Sequence, residues 1–157
     1  MAVRRLVLDD FVEEEHFLLI AIHCNLEDYR LAYLLNSYLN VSLKKKSEDL
    51  TFTSGASYGV YEWNCIKGIN TWNFVSNVFK KEEIATTQNT LFNSQVNTKS
   101  LFLVPEYKKV NYFLKIKDES KSVNEKKILM GIQKIPQIVT AYKVDTEQLI
   151  SKENLIF

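Results

Sequence analysis

Glycine and proline are scarce in this chain, at 4 and 2 of 157 residues. So few glycines argue against Gly-rich loops that cradle phosphate, and so few prolines argue against Pro-rich linkers. Cysteine is equally thin. Cys24 and Cys65 stand in separate apolar, strand-like runs and make no CxxC pair, so they read as buried free thiols. Neither a secreted disulfide framework nor a zinc site is expected from them. Arginine is the third shortage, with Arg4, Arg5 and Arg30 the only three among 20 basic residues. Arginine is the usual tool for bidentate phosphate and guanine contacts, so its lack weakens a nucleic-acid reading. The net charge of +1 supplies no chain-wide field for nucleic acid or an anionic membrane. Long apolar runs are missing too. The longest, Phe17 to Ile22, is far short of the ~20 residues of a membrane span. Leu6-Val7-Leu8 runs directly into Asp9, Asp10, Glu13, Glu14 and Glu15, which is not the apolar core of a signal peptide. A soluble, cytoplasmic protein with no membrane partner is expected.

What remains is an ordinary globular composition, 46% hydrophobic and 25% charged. A single domain over 1–157 is long enough to build a core without metal or disulfides. Residues 3–8 alternate weakly, as a short edge strand would. Phe17 to Ile22 is apolar at every position, so it reads as a central strand covered on both faces. Asn25 is placed to cap a helix with Glu27 and Asp28 in its first turn. Leu31, Leu34, Leu35, Tyr38 and Leu39 give that helix an apolar stripe, ending near Asn40. Residues 50–80 are β-rich, with a hairpin turn at Ile66-Lys67-Gly68 and a second strand continuing from Trp72 to Phe79. The polar segment 81–99 reads either as a mobile excursion or as loops around a short edge strand at Leu91–Phe92. Strands follow at 100–104 and 110–116, separated by one helical turn that Pro105 opens. Ser122 with Glu125 has capping-box spacing for a second helix, whose stripe is Ile128, Leu129, Ile132 and Ile135 and which Pro136 ends. A last strand over 138–144 precedes a short turn at Asp145-Thr146-Glu147.

This order predicts an α+β fold: a mostly antiparallel sheet with two helices packed on one face. If the strands of the unit 110–144 share a sheet, they run parallel, joined by a right-handed crossover. Two such halves make a ferredoxin-like or ACT-like plan, an analogy of fold that carries no function.

Val104-Pro105-Glu106-Tyr107-Lys108-Lys109-Val110-Asn111-Tyr112 resembles the motif of the bacterial IPExxxVDY family, found mainly in the Bacteroidota. The likeness extends to an opening Leu-Val-Leu-Asp-Asp, the Leu-Glu-Asp-Tyr-Arg-Leu helix start, the Ile-Pro-x-Ile-Val-Thr-Ala-Tyr strand and the Ser-Lys-Glu-Asn-Leu-Ile-Phe ending. Val104 stands for Ile, and Asn111 stands for Asp. The resemblance implies a bacterial cytoplasmic setting but no activity, substrate or cofactor. The motif positions Pro105, Glu106, Val110, Asn111 and Tyr112 therefore enter without an assigned role. Were the motif Asp a catalytic base, Asn111 would abolish activity; a hydrogen-bonding role would survive the exchange.

Residue chemistry offers four constellations. Glu106 with Asn111 is an acid, base or ligand on one reading; on the other, Glu106 sits by the free N–H groups of its own turn and Asn111 bonds local backbone. His23 and Cys24, adjacent on a strand, point to opposite faces and cannot pair with each other. His23 is expected to be held by a backbone carbonyl, and to meet Cys65 only if their strands are neighbours; His16, in an acidic run, reads as solvated. The acids Asp9, Asp10, Glu13, Glu14 and Glu15 lack EF-hand spacing and read as a solvated turn, or as a surface for a basic partner. Tyr58, Tyr61, Trp63, Trp72 and Phe74 form either a base-stacking platform or cross-strand packing. Nucleotide-loop and hydrolase motifs are absent from the sequence. The expectation is an accessory protein, not an enzyme, with no catalytic residue, cofactor or metal, that acts through a protein partner or a second copy of itself. Its alternatives are an ACT-like small-molecule regulatory module and an RNA-associated factor. The apolar ending Leu155-Ile156-Phe157 must dock on its own body or on a partner.

Overall fold

The computed structural model describes residues 15–67, 69–84 and 96–157. The expected strand at 3–8, most of the acidic run and the expected strand at Leu91–Phe92 lie outside them. In chain order the elements are β1 (Leu18–Cys24), α1 (Asp28–Leu39), β2 (Lys44–Lys45), β3 (Leu50–Thr51), β4 (Ser57–Tyr58), β5 (Val60–Cys65) and β6 (Asn70–Ser76). They continue with β7 (Val78–Ile84), β8 (Val96–Phe102), β9 (Tyr112–Asp118), α2 (Glu125–Gln133) and β10 (Ile138–Lys143). Three 3-10 turns, Pro105–Tyr107, Thr146–Gln148 and Lys152–Leu155, complete the elements of the described residues.

The main sheet has six strands in the order β10-β1-β9-β6-β5-β2, and each neighbouring pair is antiparallel. β9 and β10 both run against β1, which lies between them, so the unit β9-α2-β10 has parallel strands as expected. The four strands β10-β1-β9-β6 alternate in the order that a ferredoxin-like plan requires. Both helices lie on one face. Leu31, Ala32 and Leu35 of α1, with Ile128 and Ile132 of α2, pack on Ile20, Ile22, Phe74, Leu114 and Ile116. β1 is the central strand that its unbroken apolar run predicted, with Leu19 to Ile22 fully buried.

The opposite face is also covered, as the unbroken apolar run of β1 requires. Leu19, Ala21, Val75 and Phe113 meet β4, the segment Leu103–Val110 and the chain's end. The apolar ending docks on its own body: Leu155 is fully buried and Phe157 packs beside it, while Ile156 faces out.

Several local expectations are corrected. Glu27, not Asn25, is the N-cap of α1, whereas the helix ends at Asn40 as expected, in the left-handed region at φ 55°. Tyr38 lies on the helix's exposed flank and not in its core stripe. α2 is capped by Asn124, whose side chain accepts from the Lys127 N–H, because Asp118 already takes the Val123 N–H and Ser122 Oγ pairs with Ser120 Oγ. The strand expected from Trp72 to Phe79 breaks at Asn77, where the chain leaves the main sheet for the separate ribbon β7-β8. Residues 81–84 and 96–99 of the expected polar excursion are paired in that ribbon.

Candidate functional site

The motif turn follows from local chemistry. Pro105, its φ already set for a first helical position, opens the 3-10 turn. Val110 is buried beneath it. The polar motif side chains then reach far along the sequence. Glu106 accepts from the backbone N–H of Ser151 at 3.0 Å and from Ser151 Oγ at 2.6 and 2.8 Å, which ties the C-terminal turn to the motif. Asn111 Oδ1 accepts from the Cys24 N–H at 2.9 Å, where a bulge interrupts the β1–β10 register. The Tyr112 hydroxyl donates to the Leu26 carbonyl at 2.6 Å and anchors the loop before α1. Burial, helped by the negative charge of Asp28, pushes the Tyr112 phenol up to about 12. The expected partners, the turn's own N–H groups for Glu106 and local backbone for Asn111, are therefore corrected. Both side chains bond segments remote in sequence.

Asn77 completes this unit and carries no sequence signal beyond being polar between two apolar runs. It is fully buried. Its Nδ2 donates to the carbonyls of Tyr107 at 2.8 Å and Val110 at 2.9 Å, and its Oδ1 accepts from the Val104 N–H at 2.8 Å. Among the described residues every buried polar side-chain atom has a hydrogen-bond partner.

His23 and Cys24 part as predicted. The His23 ring meets the Tyr142 hydroxyl at 3.2 Å, in place of the expected carbonyl. Cys24 is buried on the helix side with Sγ 3.5 Å from the Gln137 carbonyl, whereas Cys65 is half-buried. β5, which carries Cys65, is not a neighbour of β1, so His23 and Cys65 are not brought together. Glu15, the described member of the acidic run, pairs with Lys117 at 2.9 Å and with buried Lys115 at 3.6 Å. The Lys117 hydrogen bond, aided by the charge of Lys115, holds the Glu15 carboxyl below its usual range. Lys115 also donates to the Leu155 carbonyl at 2.7 Å and lies over the rings of Phe17 and Phe157. Among the described residues no group of three or more His, Cys, Asp or Glu is placed to hold a metal ion.

The aromatic platform is mostly core. Tyr58, Tyr61, Trp72 and Phe74 are buried, and half-buried Trp63 packs on Trp72 with ring centres 5.8 Å apart. The outer surface of the helices is different. Tyr29, Tyr33, Tyr38 and Met130 are 59%, 72%, 44% and 59% exposed. Tyr29 and Tyr33 are one turn apart on the outer side of α1. Tyr38 and Met130 face a groove of about 730 Å³ between the end of α1 and α2, floored by Leu39, Trp72 and Ile128. Lys126, Lys127 and Lys134 rim it, and no carboxylate lines it. A second groove of about 730 Å³, beside the start of α2, is lined by both signs of charge, including the Lys143–Glu125 ion pair at 2.9 Å.

No protein-family model matches the chain, and neither a curated protein nor a solved structure is significantly similar to it. No helix among the described residues is long and apolar enough to cross a membrane.

Proposed function

We propose that this chain is a bacterial cytoplasmic accessory protein of the IPExxxVDY type that acts through protein–protein contact, with the outer surface of α1 and α2 as its contact face. The exposure of Tyr29, Tyr33, Tyr38 and Met130 on one helical layer carries the reading. Tyrosine and methionine are enriched at protein interfaces, tyrosine giving large contact area at low entropic cost and methionine adapting its shape to the partner. Support for a non-catalytic role comes from the motif: Glu106, Asn111 and Tyr112 all hold the chain's own segments. The RNA-associated alternative loses its support with the burial of the aromatic row.

A small-molecule regulatory role is favoured by one observation, the groove at the strand–helix boundary. Its volume of about 730 Å³ falls within the range of ligand pockets. Its lysines, however, stand exposed at the rim, and among the described residues no buried side-chain polar atom is left unpartnered to fix a ligand's orientation. The test is a photo-crosslinking residue at position 33, with position 108 as control, in the native cell. A discrete adduct at 33 alone is expected, and an adduct at twice the chain's mass identifies a second copy as partner. No adduct, or the same adducts from both positions, would refute the reading.

A further inference from the structure

We infer that the groove between the end of α1 and α2 seats an acidic segment of the partner protein, one with a large apolar side chain between its acids. This rests on the contact-face reading above and adds the occupant's chemistry. Charge complementarity is the argument. Lys126, Lys127 and Lys134 are exposed, and none makes an ion pair among the described residues. Glu125, the acid of α2, is engaged by Lys143 and does not line the groove. Lys127 and Lys134 are seven residues apart, about 10 Å along the axis at 1.5 Å per residue. A partner is therefore met by cations at both ends of an apolar floor.

That floor is built for a side chain. Met130 is flexible and polarizable and adapts to varied apolar anchors. Gly131 leaves room for the Leu39 side chain, since a Cβ there would lie 2.7 Å from Leu39 Cδ2. Leu39 is thereby held against α2 at the groove's base. A nucleic-acid strand fits less well. Its phosphates call for a continuous basic track, whereas this groove offers three cations, no arginine and an apolar centre.

The test selects binders from a random 12-residue peptide display library on the full chain and measures them by fluorescence polarisation. Selected peptides are expected to carry two or more acids around an aromatic or large aliphatic residue. Their affinity should fall about tenfold or more in K126E/K127E/K134E, and by less in the triple Gln variant, as three exposed charge contacts allow. Peptides enriched without acids, peptides indifferent to both triple variants, or no enrichment would each overturn the inference. So would salt-sensitive binding of a 20-nucleotide RNA that the triple Glu variant abolishes. The position-33 crosslink separates the two levels. Its persistence unchanged in the triple Glu variant would refute the acidic occupant and leave the contact face standing, whereas its absence in the parent chain removes both.

Discussion

Replacing Asn77 tests whether the motif turn is held together as described. Asn77→Ala deletes three side-chain hydrogen bonds and leaves the Val104 N–H and the Val110 carbonyl without their partner, while the Tyr107 carbonyl keeps the Val110 N–H at 3.0 Å. Each orphaned buried group costs ~1–3 kcal/mol, so the two together cost ~2–4 kcal/mol once water entering the space is allowed for. That is a large share of the ~5–15 kcal/mol that holds a domain together. In a chain of this length it lowers Tm by roughly 5–15 °C. Urea denaturation followed by circular dichroism should show the midpoint falling at unchanged slope. Asn77→Asp keeps the shape and the bond from Val104 but aims a carboxylate at two carbonyl oxygens. Burial and that repulsion raise the new carboxyl's folded pKa above its unfolded value of ~3.9. The folded state then binds the proton more tightly, so the Asp variant gains stability as pH falls from 7 towards 4. A loss below ~1 kcal/mol in the Ala variant, or an Asp variant as stable as the parent at neutral pH, would refute the reasoning.

Asn111→Asp should leave stability nearly unchanged, because a carboxylate accepts the Cys24 N–H as an amide oxygen does, whereas Asn111→Ala should cost ~1–2 kcal/mol in the same denaturation assay. Deleting residues 153–157 removes buried Leu155, its carbonyl bond from Lys115 and the Phe157 ring, so ~3–5 kcal/mol of destabilisation is expected; unchanged melting would show that the end does not dock. Tyr112 contributes stability that is present below pH 10 and lost as pH rises through about 12, because its folded pKa is raised above the unfolded value. Tyr112→Phe should flatten that part of an alkaline stability profile and cost ~1 kcal/mol at neutral pH through the lost bond to Leu26.

Elements whose cause is local were legible. The unbroken apolar run gave β1, the spacing of Ile128, Ile132 and Ile135 gave α2, and Pro105 gave a helical turn. Asn40, one of the few residue types that tolerates the left-handed region, marked the end of α1. The ribbon was not legible in this way. Of β7 and β8, Phe79 and Leu101 pack against the second core, while Lys80 to Glu83 and Asn97 to Ser100 are exposed, so no face alternates cleanly. The caps failed for a related reason: Ser122 has the right spacing, but Ser120 and Asp118 draw it and its neighbour into another turn, which one local pattern cannot weigh. The aromatic run was ambiguous because burial of a β-face depends on which helices cover it.

The motif shows why its chemistry was the hardest part to read. Glu, Asn and Tyr in one short stretch resemble catalytic equipment, yet their partners lie 45, 87 and 86 residues away and are backbone groups or a serine hydroxyl. Each bond fastens a different segment: the C-terminal turn, the bulged end of β1 and the loop into α1. Asn77 fastens the motif turn itself from the end of β6. Fastening of this kind needs an acceptor oxygen at position 111 and no ionisable proton there, so Asn in place of Asp leaves the architecture intact. It also places the polar chemistry of the motif inside the fold's own connections. With the motif so engaged, the contact we propose is assigned to the outer side of α1 and α2, where Tyr29, Tyr33, Tyr38 and Met130 are exposed and lysines rim the groove.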